Sequence, residues 1–138
     1  MIAVGTRCDT GILGHRGTKP LWNPQKKILL RWCLDLAKAL SFLHSCTPPV
    51  THRNLKPSNC LLQEDLHLKL SDFGLCKTLQ RDDDEGVPII RSSSGHCWQA
   101  PEILRGDKEY DHTVDIYSMG MIYWFVITGE PFPPEVPS

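Results

Sequence analysis

The chain has 138 residues, of which 41% are hydrophobic and 22% are charged, and its formal net charge is −1. This length predicts one domain with a modest core, and this composition predicts a soluble folded protein rather than a disordered or fibrous one. The near-zero charge offers no electrostatic basis for a nucleic-acid partner or for binding to an anionic membrane.

The first long element along the chain is an amphipathic helix. Residues 1–22 show no sustained period, so we expect an irregular segment there. Asn23 and Pro24 then predict a helix start, with asparagine as the cap and proline at the first helical position. Thr47-Pro48-Pro49 predicts its end, because proline donates no helical hydrogen bond. Between them, apolar residues recur at intervals of three and four: Ile28, Leu29, Trp32, Cys33, Leu36, Ala39, Leu40 and Leu43.

A short β hairpin is predicted next. Residues 60–62 and 66–70 are two apolar segments, separated by a polar turn of three residues. In the second segment leucine alternates with His67 and Lys69, as it should in a strand with one buried face. The polar segment 80–96 that follows predicts a long loop, and such loops tend to be functional or disordered.

The last predicted element is an apolar helix over residues 113–128, closed by Gly129 and followed by a proline-rich tail at 133–138. Its apolar run covers residues 116–128, which is shorter than the roughly 18 to 20 residues that a membrane span needs. We therefore expect a buried central helix and no membrane span. The six cysteines have no paired spacing and several lie in apolar segments, so we expect buried, reduced thiols and a cytoplasmic location. The N-terminal residues do not have the pattern of a secretory signal.

Three motifs follow one another between residues 52 and 102. They are His52-Arg53-Asn54-Leu55-Lys56-Pro57-Ser58-Asn59, Asp72-Phe73-Gly74 and Ala100-Pro101-Glu102. In this order, with the predicted hairpin between the first two, they resemble the catalytic loop, metal-binding loop and activation-segment anchor of the eukaryotic protein kinase family. The segments 115–120 and 128–132 extend the resemblance. It implies a mainly α fold with a short β hairpin, in which residues 23–132 form a partial large (C-terminal) lobe.

The resemblance also implies a chemistry. The family transfers the γ-phosphate of ATP, with Mg²⁺, to serine or threonine hydroxyls of a protein substrate. By position, Asn59 and Asp72 would be the metal ligands, and Leu61 would lie under the adenine ring. Lys56, two residues past Asn54, would stabilise the charge of the phosphate and is typical of serine/threonine kinases.

Other motif residues have implied structural roles. His52 is expected to be a buried residue packing on Phe73 rather than a catalytic group. Asp115 is expected to bond the backbone near His52 and Arg53, and Glu102 is expected to anchor the activation segment.

For regulation, the resemblance leaves two alternatives open at each of two places, Arg53 and the serines of the long loop. Arg53 is either a surface charge or the clamp for a phosphate on the long loop. That loop contains Ser92, Ser93 and Ser94. These serines either accept a phosphate or only make the loop more soluble.

Two positions depart from the family pattern. Asn54 stands where the family has its catalytic aspartate, and an amide cannot take up a proton. General-base assistance contributes about 10²- to 10⁴-fold, so a loss of that order is expected. Gly95, seven residues before Glu102, stands where serine/threonine kinases usually have a threonine that ties the catalytic aspartate to the loop lysine.

Some elements of the family pattern are missing from the sequence. No glycine-rich loop, Val-Ala-x-Lys strand or partner-glutamate helix precedes the catalytic loop. We therefore expect the small lobe to be missing and the chain to be an internal fragment, a truncated isoform or a degenerate gene product.

Three hypotheses follow. The first is a kinase-type domain that is catalytically dead or nearly so. The second is a non-catalytic interaction module, which binds a kinase or its regulator through an apolar patch on the central helix. The third is that the chain alone does not fold stably. The residues before the catalytic loop resemble the tyrosine-kinase-like group, whereas residues 71–77 resemble the endoplasmic-reticulum stress-sensor kinase/endoribonuclease, and the subgroup stays open.

Overall fold

The computed structural model describes residues 24–78, 96–107 and 109–130. These ranges are mostly helical and contain two small antiparallel sheets, which confirms the predicted mainly α fold with a short hairpin. In chain order the elements are α1 (Lys26–His44), β1 (Val50–Thr51), β2 (Cys60–Leu62), β3 (Leu68–Leu70), β4 (Lys77–Thr78), α2 (Pro101–Arg105) and α3 (Thr113–Thr128).

Helix α1 is shorter than predicted at both ends. It begins at Lys26, because the Gln25 carbonyl accepts the first backbone hydrogen bonds, and Gln25 makes no side-chain cap. The predicted cap Asn23 lies outside the described residues. The helix ends at His44, before the prolines, because the Ser45 side chain turns back to the Phe42 carbonyl at 3.0 Å. The apolar stripe itself is as predicted: Trp32, Leu36, Leu40 and Leu43 are buried.

Strands β2 and β3 form the predicted hairpin, with a correction to where the second strand starts. Cys60 pairs with Leu70 and Leu62 pairs with Leu68, and all four side chains are buried. The predicted strand began at Leu66, but this residue has a φ of 65° and its nitrogen bonds the Gln63 carbonyl in a turn. The turn therefore uses two more residues than the sequence pattern indicated.

A second small sheet, a 3₁₀ turn and a short helix were not predicted. Strand β1 pairs antiparallel with β4, but two residues per strand are too few to give a sequence pattern. His96–Trp98 form one 3₁₀ turn, so the predicted loop ends before residue 96. Helix α2 follows this turn and closes on Gly106, whose φ of 79° suits glycine. The rest of that loop, residues 80–95, lies outside the described part of the chain.

Helix α3 has the predicted bounds and is the centre of the core. It closes on Gly129, which has a φ of 73°. Ile122 is fully buried, and the Tyr123 hydroxyl donates to the Cys33 carbonyl of α1 at 2.6 Å. The Phe125 ring meets the Trp98 ring edge-on, with centroids 5.8 Å apart. Helix α3 therefore joins α1, the hairpin and the turn before α2 into one packed unit.

The five cysteines within the described ranges are free thiols. Cys60 is completely buried, and burial raises the pKa of its thiol to about 12. The others are only half-buried, so the expectation of buried thiols holds for one position. Among the helices described, none combines the length and the apolar character needed to cross a membrane.

Candidate functional site

A carboxylate on α3 accepts backbone hydrogen bonds from the loop between β1 and β2. Asp115 is 1% exposed, and its Oδ2 accepts from the His52 backbone nitrogen at 2.8 Å. Its Oδ1 accepts from the Arg53 nitrogen at 2.9 Å. Arg53 has a φ of 67°, which is unusual for a residue with a side chain. These two bonds compensate for the strained backbone and fix the loop's path.

His52 is a structural support under the loop. Its side chain is fully buried, and its ring lies 5.1 Å from the Phe73 ring. Nε2 lies 3.1 Å from the Ser71 carbonyl, and Nδ1 lies 3.3 Å from the Asn54 backbone nitrogen. The second contact needs Nδ1 as an acceptor, so the ring is neutral with its proton on Nε2. Burial lowers the pKa of His52, although the charge of Asp115 opposes that shift.

Three polar side chains meet above this support, and we name them the amide–carboxylate cluster: Asn54, Asn59 and Asp72. Asn54 Nδ2 donates to Asp72 Oδ2 at 2.8 Å. Asn59 Nδ2 donates to the backbone carbonyl of Asn54 at 2.7 Å and lies 3.4 Å from the same Asp72 oxygen. The structure thus brings together both predicted metal ligands and the residue at the catalytic position.

The hairpin explains why Asn59 and Asp72 are neighbours. Asn59 directly precedes Cys60, Asp72 lies two residues after Leu70, and Cys60 and Leu70 are paired. The Ser71 nitrogen and hydroxyl both donate to the Asn59 carbonyl, at 2.9 Å and 3.1 Å. Asp72 then turns into the left-handed region, with a φ of 64°, and its side chain is exposed. Strand register and one turn therefore fix the geometry of the pair.

The chemistry of this donor set fits a magnesium ion bound together with phosphate oxygens. Carboxylate and amide oxygens are suitable ligands for Mg²⁺, which usually takes one or two protein ligands and completes its shell from substrate phosphate and water. No group of three His, Cys, Asp or Glu side chains able to hold a metal by themselves occurs in the described ranges. Asn54 offers no proton acceptor at this site.

The other predicted site residues are placed as follows. Lys56 is half-buried and directly precedes the 3₁₀ turn Pro57–Asn59. Leu61 is half-buried on the opposite face of β2 from Cys60 and Leu62. Glu102 is half-buried in the first turn of α2. The predicted phosphoacceptors Ser92, Ser93 and Ser94, together with Gly95, lie outside the described residues.

Arg53 has a half-buried side chain near an aromatic ring. Its guanidinium carbon lies 5.7 Å from the centre of the Tyr110 ring, which is within cation–π range. Its Nε is buried and has no hydrogen-bond partner among the residues described. Sequence analysis did not identify Tyr110, because no local pattern links residues this far apart.

Two histidines near the loop, His44 and His112, were not among the predicted site residues. His44 Nε2 lies 2.9 Å from Asp115 Oδ2, and the His44 ring lies 4.7 Å from the His112 ring. The position of His44, in the last turn of α1, is one where a positive group is favourable, and this was the available signal.

A cavity of about 340 Å³ lies between α1 and the hairpin. Of the motif residues only Phe73 lines it, and the amide–carboxylate cluster is not part of it. The residues lining it are Asp35, Lys38, Ala39, Phe42, Leu43, Gln63, His67, Leu68, Lys69, Leu70 and Phe73. The cavity therefore does not mark the site that the motifs predict.

Comparison with known proteins gives one family. Residues 17–136 match the protein kinase domain. The chain is 40% identical, over 80% of its length, to a protein of Acanthamoeba polyphaga mimivirus whose name describes a serine/threonine-protein kinase/receptor. It is 38% identical over 74% to receptor-interacting serine/threonine-protein kinase 3 of Rattus norvegicus, and 34% identical over 81% to a serine/threonine-protein kinase of Mus musculus. It spans 6%, 22% and 13% of the lengths of these three relatives.

Proposed function

Because the chain belongs to the protein kinase family, we propose that it carries the nucleotide-handling loops of a serine/threonine kinase-type domain whose phosphoryl transfer is strongly impaired. The family reaction is the transfer of the ATP γ-phosphate to a hydroxyl of a protein substrate. One observation carries the proposal: the side chain at the catalytic position donates a hydrogen bond to Asp72 instead of presenting a carboxylate.

The binding roles follow from the cluster. Asn59 and Asp72 would hold Mg²⁺, which when bound neutralises charge on the phosphate oxygens. Lys56 would add a positive charge beside the phosphate, and its position two residues past Asn54 supports serine/threonine specificity. Leu61, exposed in part on the outer face of β2, would give the adenine ring an apolar surface.

The impairment follows from what Asn54 does in place of an aspartate. A general base must accept the proton of the attacking hydroxyl, and the amide side chain has no group that does so at neutral pH. Its nitrogen is also oriented toward Asp72 rather than toward a substrate. Loss of this assistance alone slows transfer by about 10²- to 10⁴-fold.

Arg53 would couple the site to modification of the long loop. Its half-buried guanidinium, with an Nε that has no partner in the described ranges, supports a role as a phosphate clamp. A phosphate on Ser92, Ser93 or Ser94 would provide the anion.

The test is phosphotransfer to a generic protein substrate by the wild-type chain and by Asn54→Asp. We expect the wild type to be near background and Asn54→Asp to be faster by at least tenfold. Asp72→Asn in the Asn54→Asp background is the matched control and should remove the gain. Robust transfer by the wild-type chain would refute the proposal.

A second candidate function is the interaction module, and exposed apolar side chains on α3 favour it. Ile116, Tyr117 and Ile127 are 45%, 41% and 65% exposed. Ile116 and Ile127 lie on one face of α3, because 11 residues make about three helical turns. A surface of this kind is suited to a protein partner such as a kinase or its regulator.

This candidate is tested by binding to an intact protein kinase domain in solution. Ile116→Asp and Ile127→Asp should weaken the complex and leave the helical content unchanged. A wild-type chain that remains a monomer in the presence of the kinase domain would count against it.

A further inference from the structure

Asp72 Oδ2 is already engaged by N–H donors within the protein. A carboxylate oxygen has about two lone-pair sites. Asn54 Nδ2 approaches this oxygen at 2.8 Å and Asn59 Nδ2 at 3.4 Å. An N–H group cannot ligate a metal, so a cation that used this oxygen would have to displace at least one of these donors.

The Asn54 backbone is held on both sides: its backbone nitrogen donates to His52 Nδ1, and its backbone carbonyl accepts from Asn59 Nδ2. The Asn54 side chain extends from this fixed backbone and donates to Asp72 Oδ2. The opposite rotamer of the amide would place the Asn54 oxygen against the Asp72 carboxylate, with two acceptors facing each other. The donor orientation is therefore the stable one while Asp72 is ionised.

An aspartate at position 54 would have the opposite effect. It would put a second carboxylate about as close to Asp72 as the amide now lies, and like charges at that distance are stable only with a cation or a proton between them. The aspartate form of the site would thus favour a cation, whereas in this chain two amide donors already stabilise the charge of Asp72.

We propose that the side-chain amide of Asn54 competes with a divalent cation for the carboxylate of Asp72. This competition weakens cation binding by more than the loss of one negative charge at position 54 does. The inference rests on the proposed role of Asp72 as a metal ligand. Asn54 then has a structural role of its own: its amide holds the loops in a cation-free arrangement, so the site stays ordered without magnesium.

Direct titration of the full chain with Mn²⁺, followed by electron paramagnetic resonance without nucleotide, tests this inference. The decisive variant is Asn54→Ala, which removes the donor and adds no charge. We expect Asn54→Ala to bind Mn²⁺ about fivefold more tightly than wild type, because a hydrogen bond to a charged group no longer opposes the cation. Asn54→Asp should bind more tightly still. In an Asp72→Asn background, Asn54→Ala should have no effect.

The outcomes separate the inference from the proposed function. If Asn54→Asp binds Mn²⁺ but Asn54→Ala matches or falls below wild type, the competitor role is wrong and the metal role of Asp72 stands. If no variant binds Mn²⁺, both fail. Asn54→Leu, which keeps the volume and lacks the donor, replaces the alanine variant if circular dichroism shows that alanine unfolds the chain.

Discussion

Asp115 Oδ2 accepts a hydrogen bond of 2.8 Å from the backbone nitrogen of His52, 63 positions earlier in the sequence. The same carboxylate also accepts from the Arg53 nitrogen and lies 2.9 Å from His44 Nε2. One buried side chain on α3 therefore fixes the end of α1 and the loop that carries Asn54. The position of the candidate site depends on this residue, although Asp115 itself lies below the site.

Replacing Asp115 by asparagine should destabilise the fold. One carboxylate oxygen becomes an NH₂ group, which cannot accept from the backbone donors and leaves a buried N–H without its partner. We expect the free energy of unfolding to fall by roughly 2 to 4 kcal/mol. Chemical denaturation measures this, and Asp107→Asn is the matched control. Asp107 is 42% exposed and bonds Arg105 at the surface, so its change should stay within about 0.5 kcal/mol.

The core packing of α3 makes a second prediction. Ile122 is completely buried and Ile127, on the same helix, is 65% exposed. Ile122→Ala should cost about 2 to 5 kcal/mol of unfolding free energy through lost burial and a residual cavity, whereas Ile127→Ala should change it by about 0.5 kcal/mol or less. Equal losses in thermal or urea unfolding would mean that α3 is not packed as described.

His52 gives a pH dependence with a definite sign. Burial lowers its pKa in the folded chain below the ordinary 6.5, so on acidification the unfolded chain takes up the proton first. The stability linked to His52 is present above about pH 6.5 and is lost as pH falls from there toward the folded-state pKa, at up to about 1.4 kcal/mol per pH unit. Unfolding free energies measured between pH 5 and 8 should show this, and His52→Phe should have a shallower slope below pH 6.5. Identical slopes for the two proteins would contradict the neutral, buried ring.

Thiol reactivity provides a fourth prediction. A pKa of about 12 leaves Cys60 with roughly a thousandfold less thiolate than a thiol of ordinary pKa, and its side chain is fully buried. Iodoacetamide should therefore modify Cys46, which is half-buried, well before Cys60 in the native chain. Peptide mass mapping follows both sites. Equal rates in the native state would show that the hairpin is open, and equal rates in denaturant are the control.

The sequence predicted those features that have a long or local pattern. The stripe of α1, the alternation in the hairpin and the apolar run of α3 are each set by spacing along the chain, and all three are present. The ends of elements were less accurate, because the start of β3 depends on the turn at Leu66 and on the Trp32 side chain, whose Nε1 donates to the Leu66 carbonyl. A contact of that kind leaves no trace in local sequence.

The candidate site divides in the same way. The motif spacing anticipated that Asn59 and Asp72 would be neighbours, because the hairpin register brings their positions together. It did not anticipate the direction of the Asn54 amide, nor the contact of Arg53 with Tyr110. These features are set by side-chain orientation across distant parts of the chain.

The central claim is that the side chain at position 54 is a hydrogen-bond donor to Asp72, and the side-chain amide signals of Asn54 in a ¹⁵N-correlated NMR spectrum test it most directly. We predict that one Asn54 Nδ2 proton exchanges slowly with water and shifts strongly in Asp72→Ala, while the Gln63 amide signals do not move. Asn54 signals that exchange rapidly and stay unchanged in Asp72→Ala would contradict the claim.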